Sequence, residues 1–320
     1  MVAANSDRGF SQGMVSLNSV PLVVLGFLLM IFAGGSSLRA DAVVRVVTTT
    51  SLVGDLVREI GGARVSVQSL MGPGVDPHSY QPTPSALRAL QDADVVAFHG
   101  LYLEGRMENV LQRLRSRRAH VVAITADLPV SRLRRVGEGE GAYDPHVWFE
   151  VALWRECIGT VVEALVRADP AGAESYRAQG DALRARLLVL DDWVRRELAA
   201  IPPERRVLVT SHDAFGYFGR AYDFEVIGLQ GVSTVGEAAL SAMTELTQLL
   251  ARRRIPAIFV ESSVSPKAIQ RVAADAGVRV GGELYSDSLG APGRAADGID
   301  PSTYEGMVRH NVRTLVSALR

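Results

Sequence analysis

Two short segments of the chain place a histidine directly after an Asp-Pro pair, at Asp76-Pro77-His78 and at Asp144-Pro145-His146. Proline fixes its own φ angle, lacks an amide hydrogen and pushes the preceding residue out of the helical region. Each imidazole is therefore expected to project from a rigid turn instead of lying within a regular helix. Two such imidazoles, far apart in the chain, are typical of a metal site assembled from several loops.

His212 and one acidic residue are the further ligand candidates. His212 follows the apolar segment 207–210 and precedes a helical pattern, so it lies at the carboxyl end of a predicted strand. Open α/β sheets bind their ligands at such ends. A fourth ligand should be an oxygen donor, and the residue pattern leaves Asp213, Glu261 and Asp287 as alternatives. The remaining histidines show no second indication and are interpreted as ordinary core or surface residues: His99, His120 and His310.

Strands and helices alternate along both halves of the chain, which predicts mostly parallel sheets flanked by helices. The expected strands are at 43–47, 65–70, 94–98 and 121–125, and then at 207–210, 225–229, 257–260 and 278–280. Between these halves, apolar residues recur at three- and four-residue steps, which predicts one long helix over 173–200. The expected fold is α/β, with two lobes at 43–167 and 202–320 joined by one long rigid helix within 168–201.

Residues 1–42 have the order of a secretory signal peptide. An apolar run at 20–33 follows a weakly basic segment and is followed by small residues and by Ala40-Asp41-Ala42. The run is shorter than the roughly 20 residues that a membrane span needs. We expect cleavage near Ala42 and a soluble periplasmic protein, with an uncleaved anchor as the alternative. No cysteine follows the run, so no lipid-linked N-terminal cysteine is expected.

The composition excludes some classes of protein. With 320 residues, 48% of them hydrophobic, and a net charge of −1, the chain gives no reason to expect a nucleic-acid partner. Its one cysteine, Cys157, lies in an apolar pattern typical of a buried, inert thiol. An internal disulfide is therefore not possible.

Several longer motifs resemble those of the zinc- and manganese-binding solute-binding proteins of ABC transporters. They are DPHSYQPTPS, YDPHVWFE, LVTSHDAFGYFGRAYDFEV, GLQGVST, IFVESS and GGELYSDSLG, in this order. The likeness runs from about Val43 to Arg320. It implies a metal cleft between two α/β lobes, with His78, His146, His212 and Asp287 as the four ligands. It also implies a monomeric protein without enzymatic activity that passes Zn(II) or Mn(II) to a membrane permease.

The sequence departs from some members of that family in ways that bear on the metal. Zinc-dedicated members often carry a His-rich loop before the second Asp-Pro-His, whereas the segment 132–141 has no histidine and is expected to be a solvated loop. Manganese-dedicated members often have Glu where His212 stands. Three imidazoles and a carboxylate favour zinc over manganese by the Irving–Williams order. Asp is common in the family at the position of Glu150. The change to Glu is expected to lie either among the residues behind the ligands or on the surface.

Two other functions use the same histidines. A zinc hydrolase usually keeps one coordination position open, but four protein ligands would close it, and there is no His-Glu-x-x-His segment. A surface adhesin that holds metal for structure would differ in its partner. In either case the ligand histidines should donate their second ring N–H to an acceptor. The candidates are Asp213, Glu261, Ser262 and Ser263.

Overall fold

The computed structural model describes residues 43–118, 120–139, 142–294 and 298–320. The predicted signal peptide at 1–42 lies outside these ranges. Within them, no helix combines the length and the apolar character needed to cross a membrane.

The first lobe contains a four-stranded parallel sheet. Its strands are β1 (Val44–Thr48), β2 (Val65–Ser69), β3 (Val95–Phe98) and β4 (Val121–Ala123), in the order β2-β1-β3-β4. All four residues of β3 are buried, as expected for a Val-rich strand covered on both faces. The helices of this part of the chain are α1 (Ser51–Gly61), α2 (Pro84–Asp92), α3 (Glu108–Arg115), α4 (Val151–Trp154) and α5 (Cys157–Ala168).

The long helix α6 (Ala173–Leu198) confirms the prediction made from the apolar spacing. Its buried residues are Tyr176, Gly180, Leu183, Leu187, Leu190, Val194 and Leu198, at steps of three or four. This stripe packs against α1 and α5. A methyl group at Gly180 would lie 2.7 Å from a methyl carbon of Val162, so glycine permits the close approach of α5 and α6. The predicted limits of the lobes, 43–167 and 202–320, stay predictions.

The second lobe is built from two parallel strand pairs. Strand β5 (Val207–His212) pairs with β6 (Glu225–Gln230), and β7 (Ala257–Glu261) pairs with β8 (Arg279–Leu284). Strands β5 and β7 lie side by side. The helices are α7 (Gly216–Tyr222), α8 (Leu240–Arg253), α9 (Lys267–Ala276) and α10 (Tyr304–Leu319).

Strand β8 differs from the expectation that it would end at Val280. It continues through Gly281 and Gly282 to Leu284. A methyl group at Gly281 would lie 2.8 Å from the Phe259 ring, and one at Gly282 would lie 2.5 Å from Thr314 of α10. The glycine pair therefore allows close packing within a strand instead of ending it.

Candidate metal centre

Four buried side chains converge at the carboxyl ends of the strands. His78, His146, His212 and Asp287 each offer one donor atom, and these atoms all lie within 4.8 Å of one another. None of the four residues is more than 5% exposed. His78 follows β2, His146 lies in the second Asp-Pro-His turn, His212 ends β5 and Asp287 follows β8.

The spacing of the donor atoms has the dimensions of a metal shell. The Nε2 atoms of His78 and His146 are 3.3 Å apart. Asp287 places one oxygen 3.4 Å from His146 Nε2 and the other 3.4 Å from His212 Nε2. Four donors bound tetrahedrally to Zn²⁺ at about 2.0–2.1 Å would be separated by about 3.3–3.4 Å. The cluster can therefore surround a single ion of that size.

Both Asp-Pro-His segments form the same local turn. The backbone N–H of His78 donates to Asp76 Oδ1 at 2.9 Å, and that of His146 donates to Asp144 Oδ1 at 3.0 Å. An aspartate that accepts from the amide two residues later forms an Asx turn, which stiffens the backbone. The turn explains why each histidine projects from a loop toward the cluster.

His146 is held by a buried carboxylate. Asp144 Oδ1 lies 2.7 Å from His146 Nδ1, and both side chains are fully buried. A carboxylate accepts, so Nδ1 carries the hydrogen and the Nε2 lone pair faces the cluster. The other oxygen of Asp144 pairs with Arg134. Burial lowers the pKa of His146, but Asp144 and Asp287 outweigh burial, and the pKa is raised overall.

His212 has a second carboxylate behind it. Its backbone N–H donates to Glu261 Oε1 at 2.9 Å, and Glu261 Oε2 lies 2.6 Å from His212 Nδ1. The second contact is a close ion contact that is not directed as a hydrogen bond. Burial lowers the pKa of His212, yet Glu261 and Asp287 raise it well above its ordinary value.

Asp287 is the buried anion of the cluster. Burial raises the pKa of its carboxyl, but His212 and His146 outweigh burial and hold that pKa well below its ordinary range. Ser263 Oγ donates to Oδ2 at 3.2 Å. Within the described ranges, Asp287 Oδ1 and His212 Nε2 are buried without a hydrogen-bond partner. Buried polar atoms are normally partnered, and a bound cation would satisfy both.

His78 differs from the other three cluster residues because it borders solvent-accessible space. It lines a cavity of about 420 Å³ together with Tyr102, Tyr143 and Pro145. Burial lowers the pKa of His78 to about 4. His78 is therefore neutral at physiological pH and stands on the side of the cluster that faces the cavity.

The acceptors predicted for the second ring N–H of the histidines agree with the structure only in part. Glu261 contacts a histidine as predicted. Ser263 contacts Asp287 instead, and Ser262 Oγ has no hydrogen-bond partner among the described residues. Asp213 is partly buried, with a raised pKa caused by burial, and no hydrogen bond joins it to an imidazole among the described residues. Asp144 was missed, although its place two residues before His146 was visible in the motif.

The expectation of a solvated loop at 132–141 is wrong for two arginines. Arg134 pairs with Asp144, and Arg132 pairs with the buried Glu150. A methyl group at position 216 would lie 1.2 Å from the Arg134 guanidinium, so Gly216 leaves the space that this side chain fills. Glu150 also pairs with Arg220 of α7, which makes it a buried ion-pair residue instead of a surface change.

The chain is similar to known metal-uptake and metal-binding proteins over most of its length. The family described as "ZnuA: Zinc-uptake complex component A periplasmic" matches residues 46–318. The zinc-binding protein TroA of Treponema pallidum is 44% identical over 89% of this chain and 92% of its own length. The manganese-binding lipoprotein MntA of Bacillus subtilis is 43% identical over 88% of this chain and 91% of its own. The metal ABC transporter substrate-binding lipoprotein SloC of Streptococcus mutans is 28% identical over 94% and 98%.

The structure of the chain is also similar to a solved structure of the same family. The solved structure of periplasmic zinc-binding TroA superposes with a TM-score of 0.81 at 44% identity, covering 86% of this chain and 98% of that one. Such coverage spans the strands of both halves and the long helix between them. The predicted two-lobed α/β architecture is thereby confirmed.

Proposed function

Because the chain belongs to the family of the periplasmic zinc-uptake complex component A, we propose that it captures Zn(II) or Mn(II) outside the cytoplasm and delivers the ion to an ABC permease. The observation that carries this proposal is the buried cluster of three imidazoles and one carboxylate, whose donor atoms lie within 4.8 Å of one another. We infer that His78, His146, His212 and Asp287 are the ligands of the transported ion.

The donor atoms of the cluster favour Zn²⁺ as the more tightly bound ion. Imidazole nitrogen and carboxylate oxygen both suit Zn²⁺, and the same donors hold Mn²⁺ more weakly by the Irving–Williams order. Relatives that bind either metal are similar to this chain: TroA is a zinc-binding protein at 44% identity, and MntA is a manganese-binding protein at 43% identity. Availability in the compartment can still determine which ion is carried.

The ion would connect the two lobes. His78 and His146 belong to the first half of the chain, whereas His212 and Asp287 belong to the second. The halves are also joined by Trp148 Nε1, which donates to the Ser286 carbonyl at 2.9 Å, directly before Asp287. Because this bond and the long helix α6 limit the movement of the lobes, we propose that they close only slightly on metal binding. A permease would recognise this change at the outer surface.

The competing functions receive less support. A hydrolase needs an open coordination position, and four protein donors at tetrahedral spacing leave none. The family is one of metal-uptake components and not of enzymes. An adhesin would share the metal site and differ by its partner, so co-purification with a permease or with matrix proteins separates these two roles.

The family description names the periplasm, which supports a location outside the cytoplasm. We propose that the leader is removed near Ala42 and that the released protein is a monomer. MntA and SloC are named as lipoproteins, whereas the one cysteine of this sequence is the buried Cys157. The intact mass of protein recovered from the native compartment tests the cleavage and the anchor together, and a mass that retains residues 1–42 would contradict the cleavage.

Calorimetric titration of the metal-free protein tests the proposed function. We expect one ion per chain, with Zn²⁺ bound more tightly than Mn²⁺. Asp287→Ala should weaken Zn²⁺ binding by more than the roughly 10–100-fold typical of losing an outer partner of a ligand. His310→Ala is the matched control, because His310 donates to the Glu283 carbonyl at 3.0 Å and lies outside the cluster. Failure to bind either metal would end the proposal.

A further inference from the structure

His99 is a buried histidine that the proposed metal cluster does not use. It follows β3, is completely buried and lies between two tryptophan rings. Its imidazole lies edge-on to the Trp148 ring, with the ring centroids 5.0 Å apart. It stacks on the Trp154 ring, with the centroids 6.1 Å apart. The ring therefore has little freedom to turn.

The free end of this ring points at the second Asp-Pro-His turn. His99 Nε2 lies 2.7 Å from the carbonyl oxygen of Pro145. A carbonyl can only accept, so Nε2 must carry the hydrogen. Pro145 has no amide hydrogen, and its carbonyl is the backbone group through which the turn can be held at this residue. The next residue is His146.

His99 is itself fixed from the opposite side. Its backbone N–H donates to Glu104 Oε1 at 2.7 Å, and the fully buried Glu104 also accepts from Thr49 Oγ1 at 2.6 Å and from Gly100 N–H at 3.2 Å. Leu101, within this loop, has a positive φ of 52°. Such strained backbone persists only where surrounding contacts impose it. A continuous set of hydrogen bonds thus runs from the end of β1 to the turn before His146.

The protonation state of His99 suits a permanent donor. Burial lowers the pKa of His99 to about 3, and the hydrogen bond to Pro145 opposes this only in part. The ring is therefore neutral at physiological pH, with its one hydrogen on Nε2. Among the described residues, Nδ1 has no hydrogen-bond partner, so the Pro145 carbonyl alone selects the tautomer.

We propose that His99 is a positioning residue for metal capture, whose Nε2–H holds the Pro145 carbonyl and thereby fixes the His146 ring before the ion arrives. This inference rests on the proposed function, since His146 is taken as a ligand. It gives a role to a histidine whose sequence neighbours offered no indication of one.

Three substitutions separate hydrogen-bond donation from packing. His99→Gln places an amide nitrogen near the position of Nε2 and can still donate to Pro145. His99→Asn places its amide near Nδ1 and cannot reach that carbonyl. His99→Phe keeps an aromatic ring and loses the donor. We expect zinc affinity within about threefold of the parent for Gln, and about 10–100-fold weaker binding for Asn and Phe, as for other losses of an outer partner.

Two spectroscopic measurements distinguish positioning from a general effect on folding. With saturating Co²⁺, the visible d–d bands should be those of the parent in His99→Gln and should shift or lose intensity in His99→Phe. In the metal-free parent, long-range ¹H–¹⁵N spectra should show His99 as the neutral Nε2–H tautomer, unchanged from pH 5 to 9. Thermal unfolding of each metal-free variant identifies any that does not fold, and the tautomer measurement needs no variant.

Three results would overturn the inference. One is parent-like zinc affinity and cobalt spectra in His99→Phe, and another is a weakening of binding in His99→Gln equal to that in His99→Phe. The third is an Nδ1–H tautomer or a His99 resonance that titrates between pH 5 and 9. If instead the parent binds no metal, the proposed function fails, and the positioning role fails with it even where the tautomer is as expected.

Discussion

The same tripeptide, Asp-Pro-His, occurs in two different surroundings in this protein. In both copies the aspartate accepts the histidine amide hydrogen, at 2.9 Å in the first turn and 3.0 Å in the second. Asp76 in the first turn is half-buried, and its Oδ2 accepts from the Ser79 hydroxyl at 2.8 Å and from Thr234 at 2.6 Å. Asp144 in the second is fully buried and contacts the imidazole of its own histidine.

The motif therefore sets the backbone turn, while the surroundings set the basicity of the ring. Among the described residues no carboxylate forms an ion pair with the His78 ring, and burial lowers its pKa to about 4. His146 is just as buried, but Asp144 and Asp287 raise its pKa. Two proposed ligands with the same local sequence therefore differ in how strongly they hold a proton against the metal.

Removing the charge of each aspartate should give the largest difference in zinc affinity between the two turns. We expect Asp144→Asn to weaken zinc binding by about 10–100-fold, because the His146 ring loses the negative charge of its acceptor and Arg134 loses its buried anionic partner. Asp76→Asn should change it by less than about threefold, since an amide oxygen can still accept the His78 amide hydrogen. Competition titration against a chelator of known affinity measures both, and equal losses would remove the distinction.

The pH dependence of zinc binding should follow His146 and His212, whose pKa values are raised, and not His78, whose pKa is lowered. A raised pKa means that metal-free His146 holds a proton at a higher pH than a free imidazole, so zinc must displace that proton and affinity must rise with pH. His78, with its lowered pKa, is already neutral above about pH 5 and releases none. We expect roughly a tenfold loss of affinity per pH unit for each displaced proton as pH falls below the pKa of the histidine that holds it, His146 or His212.

Calorimetry in buffers of different ionisation heat counts those protons directly. Histidine NMR of the metal-free protein should place the His146 titration above the ordinary value of about 6.5 and that of His78 below it. The reverse order would show that the carboxylates do not control these rings.

The contact that joins the first turn to the second lobe should give the smallest effect. Thr234→Val removes the hydroxyl that donates to Asp76, a single hydrogen bond worth about 1 kcal/mol. We expect zinc release to chelator to become about threefold to fivefold faster. Thr234→Ser retains the hydroxyl and should release zinc at the parent rate. Stopped-flow measurement with a coloured chelator compares the three proteins, and an unchanged rate in Thr234→Val would show that this contact does not hold the turn.

Much of the fold could be predicted because its signals are local. Val-rich runs gave the strands, and the three- and four-residue spacing gave α6. Prediction failed where the third dimension decides. The expected strand stopped at Val280, before Gly281-Gly282, yet α10 packs so closely there that only glycine fits within the strand, which continues to Leu284.

The candidate site shows the same division. The two Asp-Pro-His histidines were evident from the chain, whereas Asp287 could be chosen over Asp213 and Glu261 only by family resemblance. Arg134 and His99 could not be found at all. Their partners are set by how separate loops meet, since Arg134 fits against Gly216 and His99 reaches a carbonyl 46 residues away.

X-ray absorption at the zinc edge of the loaded protein tests the ligand set most directly. It should show four ligands at about 2.0–2.1 Å, of which three give the multiple scattering of imidazole and one is oxygen. His146→Ala should lower the imidazole count by one, and His310→Ala should leave it unchanged. A parent spectrum with two or fewer imidazoles, or an unchanged count in His146→Ala, would contradict the proposed cluster.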